Sequence, residues 1–475
     1  MQTQLFIGGQ WRAASDGATF PITDPATEET IAEVASATVD DVIEAVEVAH
    51  AAGVKWAKRA PRERAEILRR CWELLCARQQ DITEYIIREN GKAMPDARGE
   101  TAYALEFFRW YSEETVRNYG EILTAPGGDK RIVVMQQPIG LSVLVTPWNY
   151  PAAMATRKIA PALGAGCPVI LKPASDTPLT ALLIAEILAE AGVPDGLVNV
   201  VPSRRSGEVV SAMLHHPLVR KLSFTGSTEV GRALLKEAAD CVLNTSMELG
   251  GNAPFLVFDD ADIDAAVGGA LIAKMRNGGE ACTAANRFYV HERVADEFTE
   301  KFSAAMQAMK VGPGLDPEVQ LGPMVNKWAI EDIDRLVQDA TGKGSEIVTG
   351  GSPIEGTGFF YPPTVLSCVS NESNLLKEEI FGPVAPIVTF TDDDEVIAAA
   401  NDTEYGLIAY LFTGSLGRGM AVAERLDAGM IGVNRGLVSD PAAPFGGVKQ
   451  SGLGREGSHD GLQEYMEKKY IGVEW

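Results

Sequence analysis

The sequence predicts an α/β protein with two parallel-sheet units and a pair of strands left over. Strand and helix alternate through the middle third, the alternation resumes after Gly250, and two further strand-like runs fall outside both stretches. In the first unit, Ile139 to Thr146 (IGLSVLVT) reads as a strand, PWNYP as a turn, and Ala152 to Ala165 as a helix. Pro168 to Leu171 is a second apolar strand leading to Lys172. A helix follows with Thr177 as its cap, Pro178 in its first turn and Gly192 at its end, and Leu179, Leu182 and Leu183 fall at helical spacing. Strands at Leu197 to Val201 and Leu218 to Phe224 complete a pattern that calls for a parallel sheet covered on both faces. The second unit runs through PFLVF, a helical DADIDAAVGGALIAKM and the strand-like RFYVH. The two outlying runs are RIVVMQQ, Arg131 to Gln137, and the terminal KKYIGVE, edge strands of the kind that pair with another subunit.

With 475 residues and 46% hydrophobic content, the chain can bury a large core, and roughly 150 residues per domain suggests about three structural units. Lys plus Arg total 42 against 65 Asp plus Glu, a formal charge of -23. Such a surface repels phosphate backbones and anionic lipid, which argues against a nucleic-acid or membrane partner. An anionic substrate therefore needs a locally positive pocket. The start, MQTQLFIGGQWR, lacks the pattern of a secretory leader, and no run approaches the roughly 20 apolar residues of a membrane span, so a cytoplasmic location is expected. The six cysteines are scattered without CxxC pairs, which reads as reduced thiols. The five histidines show no metal-ligand spacing, and no metal is expected. No internal repeat or long linker is visible, so any domains should be interleaved.

LSFTGSTEVG, Leu222 to Gly231, is a strand, a small-residue turn and a helix, the arrangement that aims backbone N–H groups at an anion. It is neither GxGxxG nor a P-loop, since Thr228 replaces the second Gly and Arg232 follows Gly231. Nucleotide binding and a tight turn that merely needs Gly both remain open on this segment alone. Cys282, in RNGGEACTAANR, has no histidine near it in sequence to act as a base. Glu248, in SMELGGNAP, sits in a glycine-bounded apolar setting where a carboxylate with a raised pKa can activate water.

TPWNYP, LKPAS, FTGSTEVG, MELGGNAP, NGGEAC, EEIFGP and PFGGVKQSGLGREG follow one another in the order and spacing of the aldehyde dehydrogenase superfamily, which the chain resembles over essentially its whole length. The resemblance implies a Rossmann-type dinucleotide domain (1–117 and 138–247), an α/β catalytic domain (248–445) and a small β oligomerisation arm (118–137 and 446–475). It implies that Cys282 attacks an aldehyde carbon and that the Asn149 amide and the Cys282 N–H hold the oxyanion. A hydride then passes to a nicotinamide, and Glu248 activates the water that hydrolyses the thioester. Trp148 and Lys172 are implied along the adenosine, Gly226 and Ser227 at the pyrophosphate, and Glu379 at the nicotinamide ribose. Phe381 is implied at the ring, and Leu249 is counted among the cofactor-binding residues. Ser175 stands where NAD-preferring relatives commonly carry Glu, so the repulsion of an extra phosphate is absent; NADP is favoured and NAD remains possible, with Asp176 weakening the argument.

AAMATRK, MRNGGEAC, GLIAYLF and the GLVSDPAAPFGG segment resemble the succinate-semialdehyde dehydrogenases in particular. That likeness implies a substrate carboxylate held by Arg157, Arg276 and Ser439. Three departures stand out. Glu280 replaces the Gln of many relatives and adds a negative charge two residues from the nucleophile. Ala284 removes a second cysteine that some relatives carry, and Arg435 adds a cation near the Ser439 loop. The alternatives are a glutarate-semialdehyde or broad-range enzyme and, more remotely, a thiol hydrolase or acyltransferase or a non-catalytic structural protein. A homodimer or homotetramer is expected.

Overall fold

The structure, a computed structural model, describes residues 1–474. Its larger sheet has eight strands in the order Gly452–Leu453, Asn244–Glu248, Val219–Thr225, Leu141–Val145, Val169–Lys172, Val198–Val200, Leu5–Ile7, Gln10–Arg12. The five strands from Asn244–Glu248 to Val198–Val200 are mutually parallel. Their cores are buried on both faces, which is why they read in the sequence as unbroken apolar runs. From Leu141–Val145 the chain proceeds outward on one side and then returns to lay Val219–Thr225 on the other. That reversal opens a crevice at the carboxyl ends of these two strands, the place where open α/β sheets bind ligands.

The second sheet has seven strands ordered Glu346–Thr349, Thr364–Ser367, Val384–Phe390, Ala285–His291, Ala253–Val257, Ile408–Phe412, Met430–Val433. All neighbours are parallel except Glu346–Thr349 against Thr364–Ser367. Only residues 249–252 separate the last parallel strand of the first sheet from the first strand of the second. The carboxyl edge of one sheet thus passes directly into the amino edge of the other, and Cys282 sits in the loop entering Ala285–His291.

The helix Pro151–Ala165 is buried along its whole length and begins with proline, a residue suited to a first turn. Its neighbour Leu179–Glu190 departs from expectation. Thr177 does not cap it; its hydroxyl donates to the Trp148 carbonyl at 3.3 Å, while the buried Glu89 carboxylate accepts from the N–H groups of Leu179 and Thr180 at 2.6 and 2.9 Å. A carboxylate from another helix satisfies donors that the local sequence leaves open.

The two outlying strands, observed as Arg131–Pro138 and Met466–Val473, pair antiparallel with each other, and Glu121–Thr124 completes a separate three-stranded sheet. Gly452–Leu453, which the sequence division places with the arm, instead edges the larger sheet beside Asn244–Glu248. Among the described residues no helix is long and apolar enough to cross a membrane.

Candidate active site

Where the two sheets meet, a cavity of about 240 Å³ is lined by the turn after Leu141–Val145, the turn after Val219–Thr225 and the Cys282 loop. Trp148, Asn149, Gly226, Ser227, Leu249, Cys282, Glu379 and Phe381 all face it. Eight of the residues singled out from the sequence therefore share one space. Glu248, Lys172, Ser175, Arg157, Arg276 and Ser439 lie outside its lining.

Gly226 explains the turn after the Val219–Thr225 strand. A Cβ there would meet the Phe224 ring at 2.5 Å, so close approach, not a positive φ, demands glycine. Its N–H donates to the Glu248 carbonyl at 3.1 Å, and the Ser227 hydroxyl accepts from Val230 to cap the helix Thr228–Asp240. A helix N-terminus consequently opens on the cavity.

The loop before Cys282 is shaped by three successive left-handed residues, Asn277 (φ 54), Gly278 (φ 61) and Gly279 (φ 81). Asparagine tolerates that conformation better than most residues. The Asn277 amide donates to the carbonyls of Asn149 and Glu280 at 3.0 and 2.9 Å, and the Asn149 amide donates to the Glu280 carbonyl at 3.0 Å. Lys92 holds the Asn149 carbonyl at 2.9 Å and is itself ion-paired to Glu100, whose carboxylate accepts from the first turn of Pro151–Ala165. This buried frame fixes Asn149 relative to Cys282. An amide nitrogen carries two hydrogens, so one Asn149 N–H is left for a ligand in the cavity.

Cys282 is half-buried and opens on the cavity. Burial pushes its thiol up to about 12, with Arg157 and Arg276 pulling it down and Glu379 and Glu248 pushing it further up. Glu280, expected from the sequence to set a charge beside the thiol, is not among the main influences on it. Its side chain is 1% exposed and accepts the Val325 N–H at 3.1 Å, and burial raises it to about 8, so near neutral pH it is mostly an uncharged acid.

Glu248, also buried, is driven well above the ordinary carboxylate range by burial and then by the charge of Glu456; Arg157, Lys158 and Arg455 oppose the shift. One of its oxygens has no hydrogen-bond partner, leaving an acceptor site for water. Glu456 pairs with Arg157 and Lys158 at 2.5 Å each, and these two cations hold its carboxyl low against burial. Sequence reasoning assigned Glu456 no role, and nothing near it signals one, for it lies 298 residues from Lys158.

The proposed carboxylate hooks differ in availability. Arg157 is committed to Glu456 and stacked 4.2 Å over Phe445. Arg276 has no ion pair among the described residues and lies 5.2 Å over the ring of Tyr150, a cavity residue. Ser439 is half-buried in the loop after Met430–Val433, and the nearby Arg435 is exposed, its guanidinium donating to the Leu437 carbonyl.

Among the residues expected at a cofactor, Trp148 and Phe381 meet edge to face at 5.4 Å, and Phe381 takes the uncommon φ of 49. Glu379 accepts the Gly251 N–H at 3.0 Å and is raised by burial to about 7. Lys172 ends its strand buried, and burial lowers it to about 8, with Asp176 opposing and Arg204 reinforcing the shift. The Ser175 hydroxyl donates to the Ser203 carbonyl at 3.1 Å. Among the described residues no group of three or more His, Cys, Asp or Glu side chains could hold a metal.

This crevice at a sheet reversal, facing a thiol framed by backbone and amide donors, defines a dinucleotide-fold oxidoreductase site. Residues 11–471 match the aldehyde dehydrogenase family, and the chain belongs to that family. It is 54% identical to a succinate-semialdehyde dehydrogenase of Paenarthrobacter nicotinovorans over 93% of this chain and 98% of that one. It is 46% identical to a glutarate-semialdehyde dehydrogenase of Pseudomonas aeruginosa over 98% and 97% of the two chains. A crystal structure of an Escherichia coli NADP-dependent enzyme superposes with a TM-score of 0.98 at 45% identity, covering 100% of this chain and 98% of that one.

Proposed function

We propose that the protein oxidises succinate semialdehyde to succinate with NADP, NAD being a possible second acceptor. The observation that carries this reading is the shared cavity of Cys282, Asn149, Glu379 and Phe381, with the uncommitted Arg276 stacked on its Tyr150 wall. The residues fit a dinucleotide: a helix N-terminus opens on the cavity, Glu379 is fixed by the Gly251 N–H, and Lys172 waits at the adjoining strand end. When bound, the oxidised cofactor supplies the hydride acceptor and a positive charge.

The Cys282 sulfur, as thiolate, bonds to the aldehyde carbon, and the carbonyl electron pair moves to oxygen. The free Asn149 N–H and the Cys282 backbone N–H hold that oxyanion. Re-forming the carbonyl would release a hydride to the acceptor that the bound cofactor would supply, leaving a thioester on the Cys282 sulfur. Glu248, ionised, then takes a proton from water, the hydroxyl adds to the thioester, and the sulfur leaves with the bonding pair. Arg276 pairs with the distal carboxylate, supported by Arg157 through the local field and by Ser439. Trp148, Gly226, Ser227 and Leu249 shape the cofactor crevice, and Lys172 with Ser175 serves its adenosine end.

The Pseudomonas relative favours one second reading, glutarate semialdehyde as substrate. Comparing kcat/KM for succinate semialdehyde, glutarate semialdehyde and butanal tests both. A marked preference for the four-carbon acid supports the first reading, preference for the five-carbon acid the second, and equal values for charged and neutral aldehydes overturn the carboxylate site.

The domain division of the sequence reading, with its dinucleotide, catalytic and arm segments, belongs to the same proposal, as does a cytoplasmic location. The arm sheet exposes Ile122 (71%), Met135 (48%) and Tyr470 (57%), apolar surface suited to a homodimer or homotetramer. Sedimentation of the purified chain tests this, a monomer at micromolar concentration counting against it.

A further inference from the structure

We infer that Arg204 is a specificity-determining residue for the cofactor, its guanidinium joining the Lys172 ammonium and the Ser175 hydroxyl around the phosphate that distinguishes NADP from NAD. The inference rests on the dinucleotide reading above.

Three features of the Ser203–Arg205 loop lead to it. The loop is rigidly tied: the buried Ser203 donates its hydroxyl to Ala37 at 2.8 Å, and its carbonyl receives the Ser175 hydroxyl at 3.1 Å. The Arg204 N–H donates to the Ser36 hydroxyl at 3.2 Å. Arg204 is therefore held against the segment that carries Ser175, three residues beyond Lys172. The Arg204 side chain is exposed, rests 5.4 Å over the Phe20 ring and has no carboxylate partner among the described residues. Its neighbour Arg205, by contrast, is paired with Asp16 at 2.6 Å. Finally, Arg204 lies close enough to Lys172 to disfavour that ammonium's charge.

On a protein of charge -23, two cations without ion pairs among the described residues, held on adjoining segments with a hydroxyl, form a local positive spot. Asp176, which shares a surface cavity wall with Arg204, offsets part of that charge but is not ion-paired to either cation. A dianionic phosphate relieves the repulsion and matches the fork of a guanidinium. The cofactor's ribose phosphate is the anion that this end of the crevice would receive. Ribose hydroxyls alone supply no charge to answer two cations.

The test is calorimetric titration of the full-length protein with NADP, NAD, 2′,5′-ADP and 5′-AMP, using wild type, Arg204→Gln and Arg205→Gln. Arg204→Gln should raise the Kd for NADP and for 2′,5′-ADP about tenfold or more while NAD and 5′-AMP stay within about twofold. Arg205→Gln should leave all four within about twofold. Equal weakening of phosphorylated and unphosphorylated ligands by Arg204→Gln, or no weakening of either, overturns the assignment while the cofactor reading stands. Failure of wild type to bind either dinucleotide overturns that reading itself and the inference with it.

Discussion

Arg157 Nε lies 2.5 Å from a carboxylate oxygen of Glu456, and both side chains are buried. Lys158, the next residue on the same buried helix, reaches the other oxygen at 2.5 Å. A helix interior on all sides would not accept two cations without a counter-charge, and Glu456 supplies it. Arg157→Gln should therefore lower stability by about 3 kcal/mol or more, since it removes half of the charge that compensates a buried carboxylate beside Glu248. Urea unfolding followed by fluorescence measures this. The double variant Arg157→Gln/Glu456→Gln should recover part of the loss. A single variant with an unchanged midpoint would show that the Arg157–Glu456 pair adds no net stability.

In the reaction proposed above Glu248 acts in the second half, and its side chain has an unpartnered oxygen and a proton affinity raised by burial and by Glu456. Glu248→Gln should still permit acylation of Cys282. Rapid mixing with succinate semialdehyde and NADP should give a burst near one reduced cofactor per subunit, then turnover slowed about 100-fold or more. Loss of the burst together with turnover would move Glu248 to the first half of the reaction.

Arg276 is the guanidinium left without an ion pair near the cavity, whereas Arg157 is already engaged. Replacing it with Gln should raise KM for succinate semialdehyde about tenfold to 100-fold, because the distal carboxylate loses a charge-assisted donor. Butanal, which has no carboxylate, should lose markedly less kcat/KM, its residual loss reflecting the Arg276 charge that helps hold the Cys282 thiol down. Steady-state assays with both aldehydes decide it, and parallel losses would mark Arg276 as a purely structural residue.

The division between what was legible in the sequence and what was not follows the range of the interactions. Leu141–Val145 and Val169–Lys172 were readable because strands buried on both faces must be continuously apolar. Cys282, Asn149 and Glu379 stood out because each belongs to a short motif, and the fold brings those motifs to one cavity. Glu456 was invisible as a partner because its cations are contributed by a helix far away in sequence. The cap on Leu179–Glu190 was misassigned for the same reason: Thr177 has the right chemistry at the right place, yet Glu89 reaches the free N–H groups from 90 residues away. The helices between Val39 and Glu114 lie outside every motif named above, although Lys92 and Glu100 from that region position Asn149.

Glu280 offers the sharpest pH dependence. Its carbonyl anchors Asn149 and its carboxyl is buried against Val325. Burial raises that carboxyl from 4.5 to about 8, the Val325 N–H and Lys92 acting the other way. The folded state thus holds a proton that the unfolded chain releases at lower pH. The stability this contributes is fully present below pH 4.5 and is lost as pH rises through about 8. Glu89, also raised by burial to about 8, adds a loss in the same window, so the wild-type profile alone does not isolate Glu280. Glu280→Gln carries no titrating proton but keeps the shape of the side chain. Its stability relative to wild type should grow between pH 4.5 and about 8, by an amount on the order of a few kcal/mol, and level off above that. Denaturant unfolding of both proteins across this range measures the difference. A gap that does not change with pH would mean that Glu280 has the same proton affinity in the folded and unfolded chains.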